Sequence, residues 1–135
     1  MDDVVINKVA VIERCLARVR EVHGGDDANL TDDAVKQDSI ILNLQRACEA
    51  AIDLAMHLVR TRRLGVPQES RDAFVLLGGN DVIPAELAER MARMVGFRNV
   101  AVHDYTKLDL AIVRSIIGQR LTDFQEFCRS VLAES

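Results

Sequence analysis

At 135 residues, 49% of them hydrophobic and 28% charged, the chain is long enough to bury one core and polar enough to stay in solution, which predicts a single domain over residues 1–135. A formal charge of -4 excludes a protein that coats nucleic acid by bulk electrostatics, since such binding comes from Lys and Arg neutralising phosphates. No apolar run approaches the roughly 20 residues of a membrane span, and the start at Met1-Asp2-Asp3 is acidic where a secretory signal is basic, so a cytoplasmic protein with no membrane partner is expected.

Val5, Val9, Ile12, Leu16 and Val19 recur at steps of four and three, drawing one apolar stripe down a first helix of about residues 2–22 that Gly24-Gly25 ends. Thr31-Asp32-Asp33 offers cap oxygens, and the next breakers are Gly65 and Pro67, which predicts a long second helix over about 31–64. Its apolar residues occupy two adjacent lines, Ile41, Leu44, Cys48, Ala51, Ala55 and Leu58 beside Ile40, Ala47 and Leu54, so it is buried on two sides, against its own bundle or in a dimer. Asp38, Gln45, Glu49 and Asp53 form the polar stripe left over.

Ser70 to Leu77 reads as a short helix stopped by Gly78-Gly79, and Pro84 opens a third long helix. Glu86/Arg90 and Glu89/Arg93 are i,i+4 pairs on what reads as its solvated face. Leu110, Val113, Ile117, Leu121, Phe124, Cys128 and Val131 mark a last helix to about residue 132, started at Thr106 or Asp109 and weakened only slightly by Gly118. Nothing alternates with period two for long, so the expected fold is all-α: an antiparallel up-and-down bundle of four main helices plus a short one. Cys15, Cys48 and Cys128 show no C-x-x-C spacing and read as small core residues. No metal and no cofactor are expected.

The third helix breaks its own pattern at Arg98-Asn99-Val100-Ala101-Val102-His103-Asp104-Tyr105. Its apolar face runs through Leu87, Met91 and Met94 to Arg98 and Tyr105, so a guanidinium stands where the core is expected. A charge there costs several kcal/mol unless paired; either Glu49, Asp38 or Asp53 meets it, or Arg98 lines a cleft. Arg holds phosphate through a planar fork of donors, His moves protons near neutral pH, and Asn or Tyr can orient either, so a phosphodiester is the fitting substrate. Asn99 and His103 share a helical face, whereas Arg98 and His103 lie about 140° apart on a regular helix. Their convergence requires a helix break near Val102, a long reach by Arg98, or a second subunit. Arg60, Arg62 and Arg63 cluster at the end of the second helix, where compensation of the helix dipole competes with an RNA-tracking role.

Arg98-x4-His103-x-Tyr105, with Asn99 directly after the Arg, resembles the motif of HEPN-domain ribonucleases in the form seen in HepT-like toxins. The long second helix, the Ile83-Pro84-x-Glu86-Leu87-Ala88 entry and the closing helix extend the resemblance over essentially the whole chain. It implies a HEPN-like bundle and a metal-independent endoribonuclease, the toxin of a toxin–antitoxin pair. The implied partners are an RNA substrate, a second copy in a homodimer or higher oligomer, and a minimal nucleotidyltransferase antitoxin that uses ATP to place AMP on the motif tyrosine, here Tyr105. RNA carries its own nucleophile in the 2′-hydroxyl, so such an enzyme needs only a base, an acid and positive charge on the phosphorane. His103 would move the proton, Arg98 would stabilise charge, and Asn99 would fix the His103 tautomer or bind phosphate. The competing reading is a non-catalytic dimeric module that binds a nucleotide or a partner protein; a third makes the chain the antitoxin.

Overall fold

The computed structural model describes residues 2–134. Helix α1 spans Asp3–His23, α2 is a single turn at Ala28–Thr31, and α3 spans Ala34–Thr61. Then come α4 at Ser70–Gly79, α5 at Ala85–His103, α6 at Leu110–Ser115 and α7 at Leu121–Ala133. The order of packing is a closed ring: α1 lies on α3, α3 on α5, α5 on α7 and α7 back on α1, with α4 wedged against α3 and α5. This is the up-and-down bundle that the stripes predict.

The predicted apolar lines of the second helix are all buried, Ile40, Ile41, Leu44, Ala47, Cys48, Ala51, Leu54, Ala55 and Leu58 alike. Those side chains join α1, α4, α5 and α7 in one continuous core that includes an edge-to-face pair, Phe74 and Phe127. Burial pushes the thiols of Cys15, Cys48 and Cys128 up, Cys128 to about 12, so all three behave as small apolar groups, as expected.

Three predictions are corrected. The second helix does not begin at residue 31: Asp33 takes an extended conformation and its carboxylate accepts the Lys36 N–H, starting α3 separately from α2. At the other end α3 stops at Thr61, and Arg63 adopts φ 54, so the chain turns before Gly65. Glu86 is not the partner of Arg90, whose guanidinium instead crosses to α7 and donates to Asp123 at 2.9 Å and Glu126 at 3.3 Å. A buried Asp123 attracts the nearest long cation more strongly than an exposed helix neighbour can. The other predicted pair, Glu89 with Arg93, forms.

The last helix starts at Asp109, which caps Ala111, but is not uniform. Residues Ile116–Arg120, around Gly118, form a π turn. The wider turn places Ile116 and Leu121, five residues apart, both in the core. Ile116 rather than the predicted Ile117 is therefore the fully buried residue, because a π turn shifts helical phase.

One close approach fixes α4 against α5. A Cβ at Gly78 would stand 2.5 Å from the Ala88 Cβ, a distance that only glycine permits. The consequence for the site is geometric: α4 holds its N-terminal end, with Ser70, against the C-terminal half of α5.

Candidate active site

Arg98 lies in the last half of α5, where the apolar stripe would place a core residue, and its stem is packed so that the side chain is only 19% exposed. Its guanidinium is held from two elements. Nη1 donates to both carboxylate oxygens of Glu49 on α3, at 3.1 and 3.3 Å, and Nη2 donates to Ser70 Oγ at the start of α4, at 3.1 Å. Nε is buried with no hydrogen-bond partner among the described residues. Among the sequence candidates, then, Glu49 is the partner of Arg98. Asp53 is not: it pairs with Lys8 of α1 at 3.0 Å. Asp38 is not either, because it is taken by Tyr105.

α5 ends at His103, and Asp104 leaves helical geometry with φ -152 and ψ 55. A single 3-10 turn, Tyr105–Lys107, follows. Tyr105 therefore does not return to the Arg98 side by helical register; the break carries it to α3, where its hydroxyl donates to Asp38 Oδ1 at 2.6 Å. Loss of hydration around the phenol, then the hydrogen bond to Asp38 and its charge, push the Tyr105 pKa up to about 12. The ring is nonetheless 42% exposed. Asp104 pairs with Lys107.

Asn99 and His103 are both exposed on α5. The structure gives them no hydrogen bond to each other among the described residues, so the tautomer-fixing role expected of Asn99 is not formed here. The two anchors of the motif share one face of α3. Asp38 and Glu49 are eleven residues apart, which on an α-helix is about 20° in azimuth and about 16 Å along the axis. The polar stripe of α3 is thus the frame that holds both ends of the motif.

Beside Arg98 lies an open hollow of about 280 Å³ lined by Glu69, Ser70, Arg71, Val95, Arg98 and Asn99. Ser70 and Arg71 could not have been selected from the sequence: their only local signal is a helix start, and 28 residues separate Ser70 from Arg98. A non-catalytic brace would be favoured by an Arg98 fully buried in an ion pair with Glu49 or Asp53 and a His103 that faces no shared groove; the Glu49 ion pair is present, and Arg98 also lines this opening.

At the distal end of α3 two of the three clustered arginines make structural contacts. Arg62 donates to the backbone carbonyl and carboxylate of Glu134 at the end of α7, and Arg60 reaches the His57 ring at 3.4 Å. No helix among the described residues is long and apolar enough to cross a membrane.

The model of the family "Ribonuclease HepT-like" matches residues 12–131. The mRNA nuclease HepT of Shewanella oneidensis is 48% identical over 134 residues, covering 99% of this chain and 100% of that protein. The tRNA nuclease HepT of Aphanizomenon flos-aquae is 31% identical over 88 residues, 65% of this chain and 60% of that protein. Among solved structures, the tri-AMPylated S. oneidensis HEPN toxin in complex with MNT antitoxin is similar at a TM-score of 0.93 and 47% identity, covering 98% of this chain and 99% of that one. With the motif, the bundle and these similarities in agreement, the chain belongs to the HepT-like ribonucleases.

Proposed function

We propose that this protein is a metal-independent endoribonuclease toxin whose site is Arg98, Asn99 and His103, silenced when a cognate nucleotidyltransferase antitoxin adds AMP to Tyr105. The observation that carries the reading is Arg98: a guanidinium pinned by Glu49 and Ser70 at the edge of an open hollow. Anchoring removes the rotamer freedom that a free Arg would lose on gripping phosphate, so its charge is in place before the substrate arrives.

The chemistry follows from the groups present. The RNA 2′-hydroxyl attacks the adjacent phosphorus, the 5′-oxygen leaves, and the products are a 2′,3′-cyclic phosphate and a 5′-hydroxyl end. His103, exposed at the end of α5, makes no hydrogen bond through its ring among the described residues and takes or gives the proton. Its counterpart in a second copy fills the complementary role, which makes the homodimer the active unit. Arg98 stabilises the phosphorane and Asn99 donates to a phosphate oxygen.

Adding AMP at Tyr105 replaces the donor hydroxyl with a phosphodiester. The hydrogen bond to Asp38 is lost, and a new anion stands close to the Asp38 carboxylate and the His103 end of α5. Silencing then comes from charge and bulk, with the bundle intact. The tri-AMPylated state of the S. oneidensis toxin in complex with MNT antitoxin supports this reading.

The test is cleavage of total RNA in EDTA by the purified protein beside Arg98→Ala and His103→Ala. Both variants should lose activity by at least about a hundredfold while keeping the helical circular-dichroism spectrum, and wild-type products should carry cyclic-phosphate ends. Equal behaviour of wild type and variants sinks the assignment.

A further inference from the structure

The hollow beside Arg98 holds an element that the motif does not account for. Arg71, on the first turn of α4, is exposed and makes no hydrogen bond or ion pair among the described residues. The surrounding carboxylates are committed elsewhere. Glu69, exposed at the rim of the hollow, caps α4 reciprocally with Asp72, whose carboxylate accepts the N–H groups of Gln68 and Glu69 at 3.0 Å each. Glu49 is spent on Arg98.

Beside the Glu69 carboxylate at its rim, the hollow offers donors from three side chains. Ser70 Oγ accepts from Arg98, which leaves its own O–H proton to donate. Arg71 has an unused fork of five N–H groups, and Asn99 has its amide. A concave surface with several convergent donors, one of them an unpaired guanidinium, suits an anionic oxygen that accepts more than one bond.

We infer that the Arg71 side of this hollow is a second phosphate site, in which Arg71, helped by Ser70, holds a backbone phosphate of the RNA that flanks the one held by Arg98 and Asn99. The inference rests on the ribonuclease reading for the identity of the ligand. Arg71 is a positioning residue here: it fixes the strand's register and takes no part in bond cleavage. It also answers the electrostatic difficulty of an acidic chain binding RNA, because affinity comes from a local pair of guanidinium groups rather than from net charge.

The experiment is binding of 2′-O-methyl RNA, which lacks the nucleophile and cannot be cut, measured by fluorescence anisotropy over a series of salt concentrations. Arg71→Ala should weaken binding about tenfold and make the dependence of log Kd on log salt shallower by about 0.7, the loss of one phosphate contact on a single strand. Arg71→Lys should keep the salt slope while recovering part of the affinity. Arg18→Ala, an exposed cation on α1, should match wild type.

An unchanged Kd and slope in Arg71→Ala overturns the second phosphate site. Cleavage assays on the same proteins separate the two readings. If wild type cuts RNA while Arg71→Ala binds and cuts normally, only this inference fails. If nothing cuts yet Arg71→Ala still loses affinity and slope, the phosphate site stands and the ribonuclease reading fails.

Discussion

Tyr105 is the chain's one tyrosine, and there is no tryptophan, so its ionisation can be read directly from tyrosinate absorbance. With the phenol pKa pushed up to about 12, by lost hydration first and Asp38 second, the ring should remain un-ionised well above the ordinary range near 10. Asp38→Asn removes the negative charge but keeps an acceptor, and should bring the titration midpoint partway back down. The linkage sign is fixed. A phenol whose pKa is raised by folding binds its proton more tightly in the native state, so its contribution is complete below pH 10 and is lost as pH rises towards 12. A pH series of denaturant midpoints should show that loss in wild type and less of it in Asp38→Asn. A midpoint unmoved by the substitution would show that Asp38 does not govern the phenol.

At the scale of elements, the α4–α5 contact sets where Ser70 and Arg71 stand relative to Arg98. Gly78→Ala drives a methyl to 2.5 Å from Ala88 and should destabilise the fold by about 1–3 kcal/mol through overpacking, seen as a lower thermal midpoint. Because the two helices must separate, the same variant should weaken RNA cleavage beyond what its stability change explains. The α5–α7 seam carries the other buried charge. Asp123 is 4% exposed and holds Arg90 at 2.9 Å; its Oδ2 has no hydrogen-bond partner among the described residues, with Arg120 at 4.0 Å. Asp123→Ala leaves Arg90 with Glu126 alone and should cost about 2 kcal/mol, a partly solvated version of the penalty for an unpaired buried ion. Urea midpoints of wild type and variant check it.

At the scale of the whole molecule, the decisive expectation is assembly. Co-expression with a cognate nucleotidyltransferase should yield a stable complex and raise the mass of this chain by whole adenylyl groups, with Tyr105→Phe unmodified. The modified protein should show lost RNA cleavage with an unchanged melting curve, because the altered group sits on the surface at the end of α5. Modification of Tyr105→Phe, or full cleavage by the adenylylated protein, contradicts this account.

What the sequence determined by itself is the set of buried faces and the identity of the motif. Apolar periodicity is a local code written every three or four residues, so α1, the two faces of α3 and the entry to α5 could all be read from spacing alone. The same local reading placed Arg98 on the inward face of α5 and offered Glu49 among three candidate partners. It could not choose among them, since Asp38, Glu49 and Asp53 share one polar stripe of α3, within about 60° in azimuth. Only the tertiary structure decided that Glu49 meets Arg98, Asp38 meets Tyr105 and Asp53 meets Lys8, because that depends on how α5 and α1 each lie along α3. The helix end at Asp104, the phase shift at Ile116–Arg120, and the arrival of Ser70 and Arg71 beside the motif belong to the same class. Each is settled by contacts between residues distant in the chain, and no short-range pattern records those contacts.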